Sequence, residues 1–183
     1  MKNKKIVWTM IGFIAWMSSQ CGFAGNRPEA VTITPGIAYY FYAGKRNLDN
    51  ASMPNISLAY NFDQHWAVEG MVGVQNTNIN PPAVVTPTGV HGFLYTVDGI
   101  YRFMPHKLFE PYVIAGVGVL GLKPNQFDSE HQGNVNAGIG AQYFMDPSIA
   151  LRAEARDIYT MSGGKNDYFI NFGVSFLFGG CCC

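Results

Sequence analysis

The sequence predicts an all-β fold, an eight-stranded, up-and-down antiparallel β-barrel that crosses a membrane. Three observations carry this reading. Eight segments alternate in character with a period of two, each near the ~9–11 residues that a transmembrane strand needs. The connections between them alternate short and long. The face opposite the apolar one is made of glycine, serine and asparagine with few charges. A soluble sandwich exposes a more charged face, whereas small residues suit the crowded interior of a small barrel.

Composition sets the outer limits. Charged residues are 13% of the chain and aromatics 14%, with 21 glycines. Such a chain is not of disordered composition, and without a basic excess it gives no sign of binding nucleic acid. The start is set apart. Lys2, Lys4 and Lys5 precede an apolar run over residues 6–17. That run has the length of a signal-peptide core and is too short for a spanning helix of about 20 residues. Gly22 and Ala24 hold the −3 and −1 positions of a cut after Ala24, so residues 1–24 are expected to be a cleaved leader. Cys21 raises a lipoprotein alternative, against which stands Gln20, large and polar where a small residue is needed. Without residues 1–24, nine basic and twelve acidic residues remain. The barrel is then expected over 25–178, with a Gly/Cys tail at 179–183.

The strands follow in order. β1 (residues 32–43) sets Tyr39 and Phe41 on the apolar parity. β2 (55–62) opposes Ile56, Leu58, Tyr60 and Phe62 to Asn55, Ser57, Ala59 and Asn61. β3 (65–75) carries Glu69 on its inward parity, and β4 (91–103) carries Asp98 and Arg102. β5 (111–122) contains Gly116, Gly118 and Gly121, spelling the G-x-G-x-x-G of a dinucleotide-binding turn. That motif requires a helix to start within it. Here Leu122-Lys123-Pro124-Asn125-Gln126 follows, a loop sequence. Val113, Ala115, Val117 and Val119 instead alternate with Ile114, Gly116, Gly118 and Leu120, so the stretch reads as a wall strand with glycines facing a narrow lumen. In β6 (134–145) Val135, Ala137, Ile139, Ala141 and Tyr143 oppose Asn134, Asn136, Gly138, Gly140 and Gln142. β7 (149–160) carries Arg152, Glu154 and Arg156 inward, with Asp157 on the lipid parity near its end. A charge near the interface costs only about 0–1 kcal/mol. β8 (168–178) sets Tyr168, Ile170, Phe172, Val174, Phe176 and Phe178 against Asn171, Gly173 and Ser175.

Turns after β2, β4 and β6 are short, and connections after β1, β3, β5 and β7 are long and polar. Outer-membrane barrels keep their short turns in the periplasm. Aromatics gather at strand ends. Tyr60, Phe62, Trp66, Tyr101, Phe103, Tyr143, Phe176 and Phe178 lie near the short turns, and Tyr39, Phe41, Phe93, Tyr95 and Tyr168 near the long loops. Two rings of this kind are expected at the two lipid interfaces. Inside, Glu69, Asp98, Arg102, Arg152, Glu154 and Arg156 balance three acids against three arginines. Buried charges must pair or meet water, so a lumenal network with arginine forks on carboxylates is expected.

Catalytic signals are weak. His65, His91, His106 and His131 lack metal-ligand spacing, and the Asp128–His131 stretch carries no nucleophile elbow. No enzyme, cofactor or metal site is expected. Cys181, Cys182 and Cys183 lack the spacing of a closed zinc site and in an oxidising compartment could link to another protein.

With the eight segments in place, the chain resembles the outer membrane protein A-like β-barrel family. "LAYNFDQHWAVEGMVG" is similar to that family's tyrosine-x-phenylalanine, short turn, tryptophan and alternating run around one glutamate. "EPYVIAGVGV" and "PSIALRAEARD" resemble its fifth and seventh strands. The resemblance implies an outer-membrane barrel of a Gram-negative bacterium, surrounded by outer-membrane lipid, whose last strand the assembly machinery recognises. It also implies that Glu69 and the β7 charges line the interior. The expected function is structural or interfacial, with the long loops meeting a host or cell-surface ligand. A narrow ion channel or small-solute pore is the alternative, and a lipid-active enzyme a remoter one.

Overall fold

The computed structural model describes residues 25–44, 49–78, 89–105, 107–124, 130–162 and 164–180. The expected leader with its cut after Ala24, Cys21, His106, Asp128, Ser129 and the three terminal cysteines lie outside the described residues. The strands are β1 (Ala30–Phe41), β2 (Ala51–Asn61), β3 (Trp66–Asn78), β4 (Gly89–Arg102), β5 (Phe109–Pro124), β6 (Glu130–Asp146), β7 (Ile149–Thr160) and β8 (Lys165–Gly179). Each pairs antiparallel with its neighbours in sequence, and β1 pairs with β8 to close the barrel.

Period-two alternation decides which side chains face in. Along β2 and β7 burial alternates residue by residue. Outward positions such as Ile56, Leu58, Val97, Val117, Ile139 and Phe172 are exposed, an apolar outer wall. Several strands run longer than their alternation suggests. β2 starts at Ala51 and takes in Pro54, which reads as loop in the sequence. The β3 ladder begins only at Asn55, so Pro54 sits where β2 is an edge on that side, and a missing N–H is tolerated at an edge. β5 runs to Pro124 and β6 starts at Glu130, which places exposed His131 on a strand instead of a loop.

The stretch Ala115–Gly121 is a wall strand, with one correction. Gly116 and Gly118 face inward, but Gly121 falls on the outward parity, three residues from Gly118, and lies under the Phe93 ring.

Inside, the side chains stack in layers. Phe144, Ala150 and Leu177 pack at the short-turn end, and Ala67, Ile100, Tyr112 and Ile114 form a second apolar group. A polar belt follows. Above it, toward the long loops, Ala38, Tyr40, Tyr42, Met53, Met71, Leu94, Leu120, Ile158 and Phe169 join in one cluster, drawn from the neighbourhood of every strand except β6.

Candidate functional site

The polar belt is the most highly organised chemistry among the described residues. Adjacent inward positions of β7 project Arg152, Glu154 and Arg156 into the lumen, where Glu69 of β3 and Asp98 of β4 meet them. Glu69 and Asp98 are cross-strand partners in the β3–β4 ladder. Arg152 forks onto Glu69, with Nη1 to Oε2 and Nη2 to Oε1 at 2.9 Å. Its Nη2 also donates to Glu154 Oε2 at 2.5 Å and its Nε to the Tyr112 hydroxyl at 2.7 Å. Arg156 reaches all three acids, donating to Glu154 Oε1 at 2.5 Å, Asp98 Oδ2 at 2.6 Å and Glu69 Oε1 at 3.1 Å.

Neutral groups complete the shell. Ser57 Oγ donates to Glu69 Oε2 (3.1 Å), Thr96 Oγ1 to Asp98 Oδ2 (2.6 Å), Asn136 Nδ2 to Asp98 Oδ1 (2.8 Å) and the Tyr112 hydroxyl to Glu154 Oε2 (2.7 Å). Both oxygens of each of these carboxylates therefore accept hydrogen bonds, as buried charge requires. The guanidinium groups also lie over rings, Arg152 over Tyr112 and Arg156 over Phe169. The carboxylate oxygens of this cluster are thus all engaged by the protein's own donors.

Glycines make room for it. A methyl group at Gly116 would overlap the Asp98 carboxylate and the Val97 carbonyl, and one at Gly140 would overlap the Tyr112 ring.

Arg102 does not join this cluster. It lies on β4 four residues beyond Asp98, with the Ile100 layer between, about 13 Å along a strand. Its Nε instead faces Glu110 Oε2 at 4.0 Å, both side chains buried. Glu110 escapes the sequence reading because β5 is begun there at Pro111, two residues after its observed start at Phe109. Its parity with Ile114 and Gly116 was the available signal. Asp167 escapes for the same reason, one residue before the expected start of β8. It is buried and accepts from the Tyr40 hydroxyl (3.1 Å) and the Ala43 N–H (2.8 Å).

The strand-end aromatics all take outward positions. Tyr60, Phe62, Trp66, Phe103, Tyr143, Tyr39, Tyr95 and Tyr168 are exposed. Tyr101, Phe176, Phe178, Phe41 and Phe93 are partly covered. Near the short turns Tyr60 packs on Phe62, Trp66 on Tyr101 and Tyr101 on Phe103. Near the long loops Tyr39 packs on Phe41 and Phe93 on Tyr95. Asp157 is exposed on the same outer face, within a β7 that continues to Thr160. In the β2–β3 turn the Asp63 carboxylate accepts from the His65 and Trp66 N–H groups at 2.6 and 2.7 Å. These bonds hold its pKa below the usual carboxylate value.

A closed eight-stranded barrel with an apolar outer wall and a charged, filled interior defines an outer-membrane barrel protein. The family model for the outer membrane protein beta-barrel domain matches residues 13–178, and the chain belongs to that family. Among solved structures, the N-terminal β-barrel domain of Pseudomonas aeruginosa OprF superposes with a TM-score of 0.63 at 20% identity, covering 84% of this chain and 100% of that one. The outer membrane protein OprG of the same organism gives 0.69 at 12% identity over 84% and 98%. Ail, the attachment invasion locus protein of Yersinia pestis, gives 0.62 at 18% identity over 82% and 99%. Ail is also known in complex with the heparin analogue sucrose octasulfate. No curated protein matches the chain. The likeness to the OprF barrel bears out the outer membrane protein A-like resemblance in the sequence.

Proposed function

We propose that this barrel works at the cell surface through its long loops, and that its lumen is a filled scaffold which conducts little or nothing. The observation that carries this is the double closure of the lumen. The saturated charge cluster crosses its middle, and the apolar plug of Tyr40, Met53, Leu94, Leu120 and Phe169, each essentially inaccessible, caps it on the long-loop side. An ion on this path would have to pass from the buried Asp167 at the long-loop end through a closed apolar layer before reaching the charge cluster, which is costly.

The long-loop end is built to stand clear of the lipid. β5 and β6 have 16 and 17 residues, beyond the ~9–11 of a span. Their excess lies above Phe93 and Tyr95, where outward positions turn polar, with exposed Asn76, His91, Lys123 and His131. In this reading the two aromatic rings mark the lipid interfaces, the short turns lie in the periplasm, and residues 1–24 are the leader that delivers the chain there. The outer wall meets lipid, β8 with Phe178 is the strand offered to the assembly machinery, and the loops meet a host or cell-surface ligand.

The test is conductance in planar bilayers alongside binding of the purified barrel to cell surfaces. Silent bilayers for the wild type, with loop-dependent binding, support the reading. Steady conductance from the wild type, altered by Glu69→Gln, overturns it in favour of a narrow channel.

A further inference from the structure

Residues 25–29 do not trail from the barrel. Gly25 and Asn26 are buried at the short-turn mouth. The Asn26 N–H donates to Glu110 Oε1 at 2.9 Å, and Asn26 Oδ1 accepts from Asn61 Nδ2 at 2.8 Å. From the next residue, Arg27 Nη2 donates to the Pro147 carbonyl and to Ser148 Oγ, both at 3.2 Å. Glu29 takes a left-handed conformation (φ 59°) and donates its N–H to the Asn61 carbonyl at 2.8 Å, turning the chain into β1. Five residues thus tie β2, β5 and the β6–β7 turn together across the mouth.

The Gly25 nitrogen is three covalent bonds from the Asn26 nitrogen, so the two lie no more than about 4 Å apart. Cleavage after Ala24 would change the chemistry of that atom. Hydrolysis of the Ala24–Gly25 peptide bond consumes one water, leaves a carboxylate on the leader's Ala24 and an ammonium on Gly25. A neutral amide becomes a cation next to a wholly buried carboxylate. Arg102 approaches that carboxylate at its other oxygen, Oε2, which leaves Oε1 to the Asn26 end of the strap. Arg27 is turned away toward Pro147 and Ser148.

We propose that the short-turn mouth is a binding site for a primary ammonium, which the chain's own processed N-terminus supplies. The Gly25 α-ammonium pairs with Glu110, and removal of the leader fastens the strap across the barrel. This rests on the leader reading of residues 1–24 and is independent of the surface role.

The experiment uses the mature barrel purified from outer membranes. Mass spectrometry of the N-terminal peptide fixes the first residue. Acylation of the α-amine by an amine-reactive ester is then compared in folded and boiled protein, with the lysines as internal reference. The expected result is a chain beginning at Gly25 whose α-amine reacts about tenfold more slowly when folded, as a charge-assisted bond implies. Glu110→Gln should remove most of that protection. Should this variant not fold, inserting one serine before Gly25 displaces the ammonium instead and should expose it. A mature chain that begins elsewhere overturns the leader reading and the pairing with it. A start at Gly25 with equal reactivity in both states, or protection unchanged in the variants, overturns the pairing alone.

Discussion

Counting bonds and counting charge rank substitutions in the lumenal cluster differently, and the difference can be measured. Glu69 accepts from both guanidinium groups and from Ser57, so by bonds its loss looks severe. By charge it does not. The ion pairs join three carboxylates (Glu69, Asp98 and Glu154) to two guanidinium groups (Arg152 and Arg156), an excess of one negative charge. Glu69→Gln brings the cluster to neutrality and keeps the side chain's volume. Its cost is the weakening of charge-assisted bonds and one misdirected amide, about 1–3 kcal/mol. Arg156→Ala leaves three buried carboxylates around one guanidinium. Removing one partner from a buried pair costs about 3–5 kcal/mol.

Arg156→Lys should fall between the two. It restores the charge, but an ammonium lacks the planar fork that now reaches three acids. The expected order of destabilisation is Arg156→Ala, then Arg156→Lys, then Glu69→Gln, with about 2 kcal/mol between the extremes. Urea unfolding in phospholipid vesicles measures it, with a heat-dependent gel shift as the check on folding. Trp66 is the only tryptophan after residue 24 and sits on the outer wall, so its fluorescence reports loss of the lipid environment. If Glu69→Gln proves as damaging as Arg156→Ala, bond number outweighs charge balance in this lumen and the reasoning fails.

Further outcomes follow from single sites. Gly116→Ala should destabilise by about 1–3 kcal/mol through overpacking against Asp98 and the Val97 carbonyl, whereas Gly70→Ala, which meets open space, should not destabilise; the same vesicle titration compares them. Asp63→Asn should lower stability at neutral pH. Because the Asp63 pKa is lowered in the folded protein, its contribution is present above the ordinary carboxylate pKa and is lost as pH falls through the folded value. Wild type and variant should therefore converge in acid, and a gap independent of pH would contradict the assignment. Asp157→Ala should stabilise the barrel in vesicles by no more than about 1 kcal/mol, the range for a charge near the interface; a gain of several kcal/mol would move Asp157 toward the bilayer centre.

Much of this architecture was legible, and the reason is that a barrel wall forces a two-residue period wherever lipid lies on one side. β7 shows it best. Its burial alternates without a break, only Asp157 and Ile158 reverse the sequence pattern, and residues 149–160 are both the expected and the observed strand. Legibility fails where the period is masked at strand ends. Ser52 and Pro54 look like loop, yet pairing with β1 carries β2 back to Ala51. Pro111 looks like a strand start, but β5 begins at Phe109, and that two-residue error conceals Glu110 and so the partner of Arg102. Parity can say that a charge faces inward, but not whom it meets. Arg156 and Asp98 are 58 residues apart, on strands that are not neighbours in the barrel, and only closure brings them together.

The glycines of Ala115–Gly121 tie these points together. Read locally they mimic a phosphate-binding turn, because both situations need backbone without a side chain. In a nucleotide fold the space admits pyrophosphate; here Gly116 admits the carboxylate of Asp98 from the neighbouring strand. Gly138 likewise lies against Arg156, and Gly140 against Tyr112. Small residues on β5 and β6 are thus the counterpart of large charged ones on β4 and β7, and this lumen holds its arginines where Gly116, Gly138 and Gly140 leave room. That complementarity fills the lumen as well as fixing it. The space a solute would use is already occupied by Arg152, Arg156 and their acids, which is the physical reason for proposing a role at the loops and not in the lumen.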